Sequence, residues 1–367
     1  MGLLAASEAG DALVVGVGSG AVLWRANSTT TLRGTADERC VAVAISSDGA
    51  TVATASDAKR LRCWHNNDLS EAEAPRRVSG MCMAPLGDGL ALLVCCAGEL
   101  YALPLPALDK APKCLLGHTS SVLTGVAYAN GLVATADRNE KVRVSQFPRC
   151  EEIESFCLGH TDFVAGVEFL SEKSLVSCGG DGVLRVWDTA SGNCLSQRPH
   201  PGAVCTCLAV STDFIALGLR DDACVHVYSR VGPQPINASR ITLKLPAPPS
   251  DLCFRGSTLV ALVAADAVLV EFVRGADGYA LTNVAAAPVR AASAGLGPVA
   301  PSALFQALER NHDHLTTPDD VNAPTILKKH ALEARYDVSQ LGVVPKKQIV
   351  EDMDRRRGSP APPRAPG

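Results

Sequence analysis

The chain has 367 residues, of which 47% are hydrophobic and 20% charged, a composition that supports a sizeable core and excludes global disorder. Its formal net charge of −4 argues against binding nucleic acid through the whole surface. The 31 glycines and 23 prolines interrupt the sequence often, which favours many short strands and turns over long helices.

The first element is a strand that runs into a glycine-rich stretch, VVGVGSG, at 14–20. Its spacing is similar to that of loops that bind nucleotides or S-adenosylmethionine, but such a loop must open a helix. Here the residues that follow, Ala21-Val22-Leu23-Trp24, continue as a strand. We therefore predict a tight hairpin, with no cofactor and no small-molecule ligand bound by this chain.

Targeting and membrane signals are expected to be absent. The first eleven residues, MGLLAASEAGD, carry no lysine or arginine, which is unlike a secretory signal. The longest apolar run, about 259–273, is interrupted by Asp266 and Glu271 and is too short to cross a bilayer.

The 14 cysteines mostly lie inside apolar runs and lack the spacing of zinc sites. Buried free thiols in a reducing compartment, the cytosol or the nucleus, are the expected state.

One segment, 158–192, defines the repeat. It contains Gly159-His160, alternating apolar stretches, a GGDG turn and Trp187-Asp188, and it resembles a WD repeat. The Trp187 position recurs every 39 to 44 residues, at Trp24, Trp64, Leu103, Ser145, Trp187, Tyr228 and Phe272. Seven units predict an all-β fold, a seven-bladed β-propeller over residues 1–290, closed by the N-terminal strand or by residues near Val284.

WD repeats carry a buried hydrogen-bonded chain of four side chains. The resemblance assigns this structural tetrad to His160, Ser177, Asp181 and Trp187. In the preceding unit His118 and Thr135 match, while Asn139 replaces the aspartate and Ser145 the tryptophan, so we expect a weaker tie there. No P-loop, G-x-S-x-G or H-E-x-x-H motif is present, and we predict neither catalytic residues nor a metal site.

The C-terminal region has a different character. Residues 291–340 are interpreted as a linker and helical extension, with helices near 301–311 and 325–336, and residues 341–367 as a disordered, basic, proline-rich tail. Positive charge is concentrated here, because residues 324–367 carry nine Lys/Arg and five Asp/Glu. Candidate RNA contacts are Lys328, Lys329, Lys346 and Lys347. The run Arg355-Arg356-Arg357 is either a solvated tail or nuclear import signal, or a contact to phosphates, and we expect localisation in the nucleus, with the cytoplasm as a further location.

Two stretches are more specific than the repeat. ADRNEKVRVSQFP (136–148) and IESFCLGHTDFV (153–164) resemble the WD-repeat non-catalytic subunit of the tRNA (guanine-N7-)methyltransferase, the Wuho family. That family carries A-D-R-D-E-[KH]-[IV]-[RK]-[IV]-S here, with serine in the tryptophan position. Asn139 departs from its usual aspartate.

The resemblance implies a subunit without chemistry of its own. It would bind the catalytic methyltransferase subunit as a heterodimer and help to dock tRNA, whose variable-loop guanosine is methylated to N7-methylguanosine. S-adenosylmethionine would be bound by the partner. Because the first 323 residues carry a net charge of −8, we expect the partner to supply most phosphate contacts. By resemblance, the partner-binding residues are Arg138, Lys141 and Arg143, with Lys59 and Arg60 as a second group.

Two questions stay open, one about Arg143 and one about the function of the whole protein. Arg143 shares its repeat position with Arg62 and Arg185, so it is either an interface residue or a blade residue with a packed stem. The whole protein, in turn, is alternatively a generic scaffold such as a ubiquitin-ligase substrate receptor, or a free-standing RNA-binding protein that uses its basic tail.

Overall fold

The computed structural model describes residues 2–25, 28–66, 68–119, 121–230, 236, 240–263, 268–275 and 278–285. The predicted extension (291–340) and tail (341–367) lie outside the described residues, as do Lys328, Lys329, Lys346 and Lys347. No helix in the described part has the length and hydrophobicity needed to cross a membrane.

The described residues form seven four-stranded antiparallel sheets, each built from four consecutive strands. Blade 1 contains β1 (Leu4–Ala6), β2 (Ala12–Val17), β3 (Gly20–Arg25) and β4 (Ser28–Leu32). Blade 2 contains β5 (Cys40–Ile45), β6 (Thr51–Ser56), β7 (Arg60–His65) and β8 (Asp68–Glu73). Blade 3 contains β9 (Val78–Leu86), β10 (Gly89–Cys96), β11 (Glu99–Leu105) and β12 (Lys113–Gly117). Blade 4 contains β13 (Leu123–Ala129), β14 (Leu132–Asp137), β15 (Lys141–Gln146) and β16 (Ile153–Leu158).

The remaining blades repeat this pattern. Blade 5 contains β17 (Val164–Ser171), β18 (Ser174–Gly179), β19 (Val183–Asp188) and β20 (Cys194–Pro199). Blade 6 contains β21 (Cys205–Val210), β22 (Phe214–Leu219), β23 (Cys224–Ser229) and β24 (Arg240–Lys244). Blade 7 contains β25 (Pro249–Arg255), β26 (Thr258–Val263), β27 (Val268–Gly275) and β28 (Gly278–Ala285). The predicted seven-bladed propeller is confirmed, and every residue of the predicted tryptophan series lies on the third strand of its blade.

The seven first strands line a central channel of about 460 Å³. In each blade the chain runs outward from the channel, so the fourth strand lies on the rim. Two kinds of connection emerge at one end of the ring: the turn between second and third strands, and the loop from the fourth strand to the next blade. We call this the upper end, and the opposite end the lower end.

The glycine-rich stretch near the N-terminus is the hairpin between β2 and β3. Gly18 has a φ of 51°, in the left-handed region that favours glycine. A Cβ at Gly20 would lie 2.1 Å from the carbonyl oxygen of Leu32, so β4 passes too close for any larger residue. The chain continues as a strand from Gly20, which excludes a helix opening there.

The ring closes without a shared sheet. β1 is the innermost strand of blade 1 and β28 the outermost strand of blade 7, and each pairs only within its own blade among the described residues. The N-terminal strand contributes to closure by a different route, because the amide of Leu4 donates to Oδ2 of Asp251 at 2.7 Å. Around this bond an apolar cluster joins the two blades, with Leu13 and Val15 packed with Val260 and Leu262.

Asp251 is buried, and its carboxylate also accepts the amide of Leu252 at 2.9 Å. Burial raises the pKa of Asp251 to about 6, although the hydrogen bonds from Leu4 and Leu252 lower it. Because the folded-state pKa lies above the unfolded one, Asp251 favours the folded state most below about pH 4. That contribution is lost as the pH rises through 6.

We predict that Asp251→Asn gains stability relative to wild type as the pH rises. The amide keeps an acceptor for Leu4 and carries no charge, so the difference in unfolding free energy should shift by about 1 kcal/mol in its favour between about pH 5 and pH 7. Urea denaturation of both proteins at each pH measures this. Glu168, on the channel wall, is reachable by solvent, but enclosure raises its pKa to about 7. Glu168 is present in both proteins, and Asp251→Asn removes a negative charge that raises the pKa of Glu168, so the effect of Glu168 on the difference has the same sign. A difference that does not change with pH would contradict the assignment.

Candidate protein interface at the seam between blades 3 and 4

The four residues of the predicted tetrad lie in blade 5 and form one hydrogen-bonded chain. Nε2 of His160 and Oγ of Ser177 lie 2.7 Å apart, and Nε1 of Trp187 donates to the same oxygen at 2.8 Å. Nδ1 of His160 lies 3.0 Å from Oδ1 of Asp181. Burial raises the pKa of Asp181, but its bonds to His160 and Arg185 outweigh burial and hold that pKa well below its usual range. These hydrogen bonds are buried and connect the loop before β17 to β18 and β19. The role of the four side chains is therefore to hold the blade together.

Blade 4 carries a shorter version of this chain. Nε2 of His118 lies 2.8 Å from Oγ1 of Thr135, and Nδ1 lies 2.9 Å from Oδ2 of Asp137. The expectation that Asn139 weakens this tie is therefore wrong, because Asp137, two residues earlier, supplies the carboxylate. Oδ1 of Asp137 also accepts the amides of Asn139 and Lys141, at 2.8 and 3.0 Å, which closes the turn. The histidine tie is retained, and only the tryptophan is missing.

Three blades place an arginine two residues before the tryptophan position. Arg62 in blade 2 bonds the carboxylates of Glu38 at 2.8 Å and Glu71 at 2.7 Å. Arg185 in blade 5 bonds Oδ2 of Asp181 at 2.6 Å. Arg143 in blade 4 differs, because no carboxylate of the described residues lies within 4.0 Å of its guanidinium.

Arg143 is only 9% exposed and spans the seam between two blades. It donates to the carbonyl oxygen of Cys150 at 2.5 Å, to Oγ of Ser145 at 2.9 Å and to the carbonyl oxygen of Gly117, on β12 of blade 3, at 3.5 Å. Burial lowers the pKa of this guanidinium, whereas the pKa of Arg62 is raised because its two glutamates outweigh burial. Arg143 thus has the packed stem of a blade residue, and its charge has only neutral partners in the described part of the chain.

The strand opposite Arg143 explains the missing carboxylate. Cross-strand pairs put Arg62 opposite Glu71 in blade 2 and Arg185 opposite Gln197 in blade 5. In blade 4 the corresponding partner of Arg143 is Phe156. Directly opposed residues project from the same face of a sheet, so an aromatic ring stands where blade 2 supplies an acid. Phe156 is 43% exposed.

A second exposed apolar residue lies beside Phe156. Leu158 is 62% exposed and lies opposite Lys141, which is also exposed. Lys141 and Arg143 are two residues apart on β15, so all four side chains share one face of blade 4. We call Lys141, Arg143, Phe156 and Leu158 the blade-4 edge surface. Arg138, half-buried, lies in the adjoining upper turn.

Sequence reasoning did not single out Phe156 and Leu158. The available signal was their place on a fourth strand, where alternate residues face solvent. An apolar residue at two successive solvent-facing positions is unusual for a rim strand.

The second predicted group, Lys59 and Arg60, lies at the upper end of blade 2. Nζ of Lys59 is 3.8 Å from Oε1 of Glu73, and Nε of Arg60 is 3.9 Å from Oε1 of Glu38. Blade 3 separates these residues from the blade-4 edge surface, so the two predicted groups do not form one cluster. The described residues contain no group of three or more side chains that could hold a metal ion.

Comparisons with known proteins agree with the resemblance seen in the sequence. Residues 106–219, which include all of blades 4 and 5, match the family model of the tRNA methyltransferase TRM82 WD40 domain, and residues 26–65 match the WD domain, G-beta repeat. The tRNA (guanine-N(7)-)-methyltransferase non-catalytic subunit wuho of Anopheles gambiae is 35% identical over 155 residues, which are 37% of this chain and 40% of that protein. The non-catalytic subunit wdr4 of Xenopus laevis is 35% identical over 162 residues, 42% of this chain and 41% of that protein. The matches thus span less than half the length of these relatives.

Solved structures support the fold alone. The RRP9 WD40 repeats superimpose with a TM-score of 0.61 at 20% identity, covering 71% of this chain and 86% of that one. The Myceliophteria thermophila Cps50 (Swd1) β-propeller domain gives a TM-score of 0.62 at 12% identity, covering 71% and 92%.

We predict that Arg143→Ala folds but is destabilised by about 1–3 kcal/mol, because it leaves buried acceptors at Cys150 and Ser145 without their donor. Lys141→Ala, on the same strand but exposed, should change stability by less than about 0.5 kcal/mol. Urea denaturation compares the two variants with wild type. Equal stability of both variants would show that the three hydrogen bonds of Arg143 do not support the seam.

Proposed function

We propose that this protein is the non-catalytic subunit of a tRNA (guanine-N7-)methyltransferase. It binds the catalytic subunit through the blade-4 edge surface, and the complex methylates tRNA to N7-methylguanosine in the variable loop. Nuclear localisation, expected from the basic tail, is part of the proposal. The relatives named as non-catalytic subunits support it, and the family model of the tRNA methyltransferase TRM82 WD40 domain matches the region that contains this surface.

The proposal depends on one observation: the residue opposite the buried Arg143 is Phe156, whereas the residue opposite Arg62 in blade 2 is Glu71. A guanidinium held among neutral acceptors is stabilised by any carboxylate that reaches it, because burial weakens competition from water. Phe156 and Leu158 meanwhile expose apolar area that a protein partner would cover. An acidic side chain surrounded by apolar residues on the catalytic subunit complements both features.

The surface also has the composition of an interface. Aromatic residues and arginine are enriched where protein interfaces have their strongest contacts. Lys141 and Arg138 flank the apolar pair and would form the polar rim. In this proposal the chain contributes no reacting group to the methylation. It positions the catalytic subunit, which binds S-adenosylmethionine and transfers the methyl group.

We predict that Leu158→Glu weakens binding of the catalytic subunit at least tenfold, because the charge prevents burial of the apolar surface. The control is Leu69→Glu, which places the same charge on a leucine that is 50% exposed on the fourth strand of blade 2. Co-expression with the catalytic subunit of the same species, followed by pull-down and titration of the purified subunits, measures the effect. If both variants bind like wild type, the blade-4 edge surface is not the interface.

We further predict that Arg143→Ala, assayed well below its melting temperature, weakens the same complex by about 2–5 kcal/mol, because it leaves a partner carboxylate unpaired. Arg185→Ala is the matched control, since it removes the equivalent arginine one blade away. Methylation of tRNA by the reconstituted complex should fall in parallel with binding and recover at high subunit concentration. Wild-type affinity of Arg143→Ala would remove Arg143 from the interface.

A further inference from the structure

The upper end of blade 2 carries four exposed arginines that the proposed function does not use. Arg33 and Arg39 lie in the loop from β4 to β5, and Arg76 and Arg77 lie in the loop from β8 to β9. We call these four residues the blade-2 arginine surface. Both loops connect a rim strand to the next inner strand, so they emerge at the same end of the ring, on either side of blade 2.

Hydrogen bonds fix both loops to the turn between β6 and β7. The amide of Arg39 donates to Oδ1 of Asp57 at 2.9 Å, and the amide of Asp57 donates back to the carbonyl oxygen of Arg39 at 2.9 Å. On the other side, the amide of Ala74 donates to the carbonyl oxygen of Lys59 at 2.8 Å. The arginines are therefore presented from anchored backbone, which lowers the entropy lost when they bind an anion.

The acids at this end are largely engaged by other cations. Glu38 bonds Arg62 and lies near Arg60, Glu71 bonds Arg62, and Glu73 lies near Lys59. By contrast, no carboxylate of the described residues lies within 4.0 Å of Arg33, Arg39, Arg76 or Arg77. Two further acids, Asp37 and Asp57, belong to the same end. This end therefore has seven positively charged and five negatively charged side chains. The positive ones are Arg33, Arg39, Lys59, Arg60, Arg62, Arg76 and Arg77, and the negative ones are Asp37, Glu38, Asp57, Glu71 and Glu73. A chain with a net charge of −4 thus has a locally positive end.

This surface differs in kind from the blade-4 edge surface. The exposed large hydrophobic residues of the described chain are Leu69, Ile153, Phe156, Leu158, Leu195 and Val273, and none lies in the two arginine-bearing loops. Leu69 lies near the lower end of β8, away from the arginines. A surface with guanidinium groups and without apolar area suits phosphate, whose oxygens match the planar fork of arginine. Because the arginines stand on both sides of one blade, a polymer with several phosphates fits them better than a single anion.

We propose that the blade-2 arginine surface contacts the phosphate backbone of the tRNA held by the methyltransferase complex. The inference rests on the proposed function for the identity of the RNA. The contact adds affinity and orientation without reading sequence, because phosphates carry no sequence information.

The test measures tRNA binding by the purified complex of this chain and the catalytic subunit. Two variants each remove two charges, Arg33→Gln/Arg39→Gln and Arg76→Gln/Arg77→Gln. The control, Lys110→Gln/Lys173→Gln, removes two exposed lysines from lower-end loops of blades 3 and 5. Fluorescence anisotropy with labelled tRNA is recorded across a series of salt concentrations. We expect each arginine variant to weaken binding about fivefold or more and to reduce the slope of log K against log salt by about 1 to 2, since each phosphate contact contributes about 0.7–0.9.

The outcomes separate this inference from the proposed function. Intact complexes with a reduced slope support the inference, and intact complexes whose affinity and slope match the lysine control overturn it. Folded arginine variants that no longer retain the catalytic subunit also overturn it, because the surface would then be a protein interface. If the wild-type chain does not bind the catalytic subunit, the proposed function fails. The same comparison on the chain alone then decides whether these arginines contact tRNA.

Discussion

Every blade of this protein is apolar on both faces, and the fold depends on covering both. On β10, successive residues point into different cores: Leu92, Val94 and Cys96 pack with blade 2, while Ala91, Leu93 and Cys95 pack with blade 4. A sheet of this kind cannot be stable alone, because either face left in water loses the free energy of burial. The stability of the ring therefore comes from the packing between neighbouring blades rather than from single blades.

This constraint makes the junction of blades 1 and 7 the critical one, since an open ring would expose two apolar faces. Among the described residues, blade 1 and blade 7 do not share a strand. Closure depends instead on side-chain packing and on the bond from Leu4 to Asp251. A buried carboxylate that accepts two backbone amides is costly when ionised, but it fixes the first strand in place along the channel. The ionised carboxylate of Asp251 therefore lowers the stability of this junction but keeps β1 in position.

The same constraint explains why the fold could be predicted from the sequence. In six of the seven blades a large residue on the third strand fills the space between blades, so its period of about 40 residues follows the stacking. Trp187, Tyr228 and Phe272 are all fully buried. The buried cysteines were predicted for the same reason: all 14 are free and most lie inside the cores. Burial raises the pKa of Cys63 to about 11, so this thiol behaves as a small apolar residue.

Details that depend on local turns and cross-strand pairs could not be predicted in this way. Counting from His118 leads to Asn139, but the turn places Asp137 against the imidazole. The burial of Arg143 was one of two open readings, and pattern alone cannot tell a packed stem from an exposed one. The position of Phe156 opposite Arg143 is a matter of register, which is fixed only when β15 and β16 are paired.

The contrast between blades 2 and 4 shows how a rigid repeat acquires a specific surface. In blade 2, Arg62 and Glu71 satisfy each other across the strands, so that position needs nothing from outside. In blade 4 Phe156 lies where blade 2 has the acid, so Arg143 has only neutral partners among the described residues. Because the backbone is held by neighbouring blades, the sheet cannot rearrange to repair the mismatch. In the proposed complex, this surface is preorganised for an acidic side chain of the partner, and one difference between cross-strand pairs, Arg62–Glu71 against Arg143–Phe156, sets it apart from blade 2.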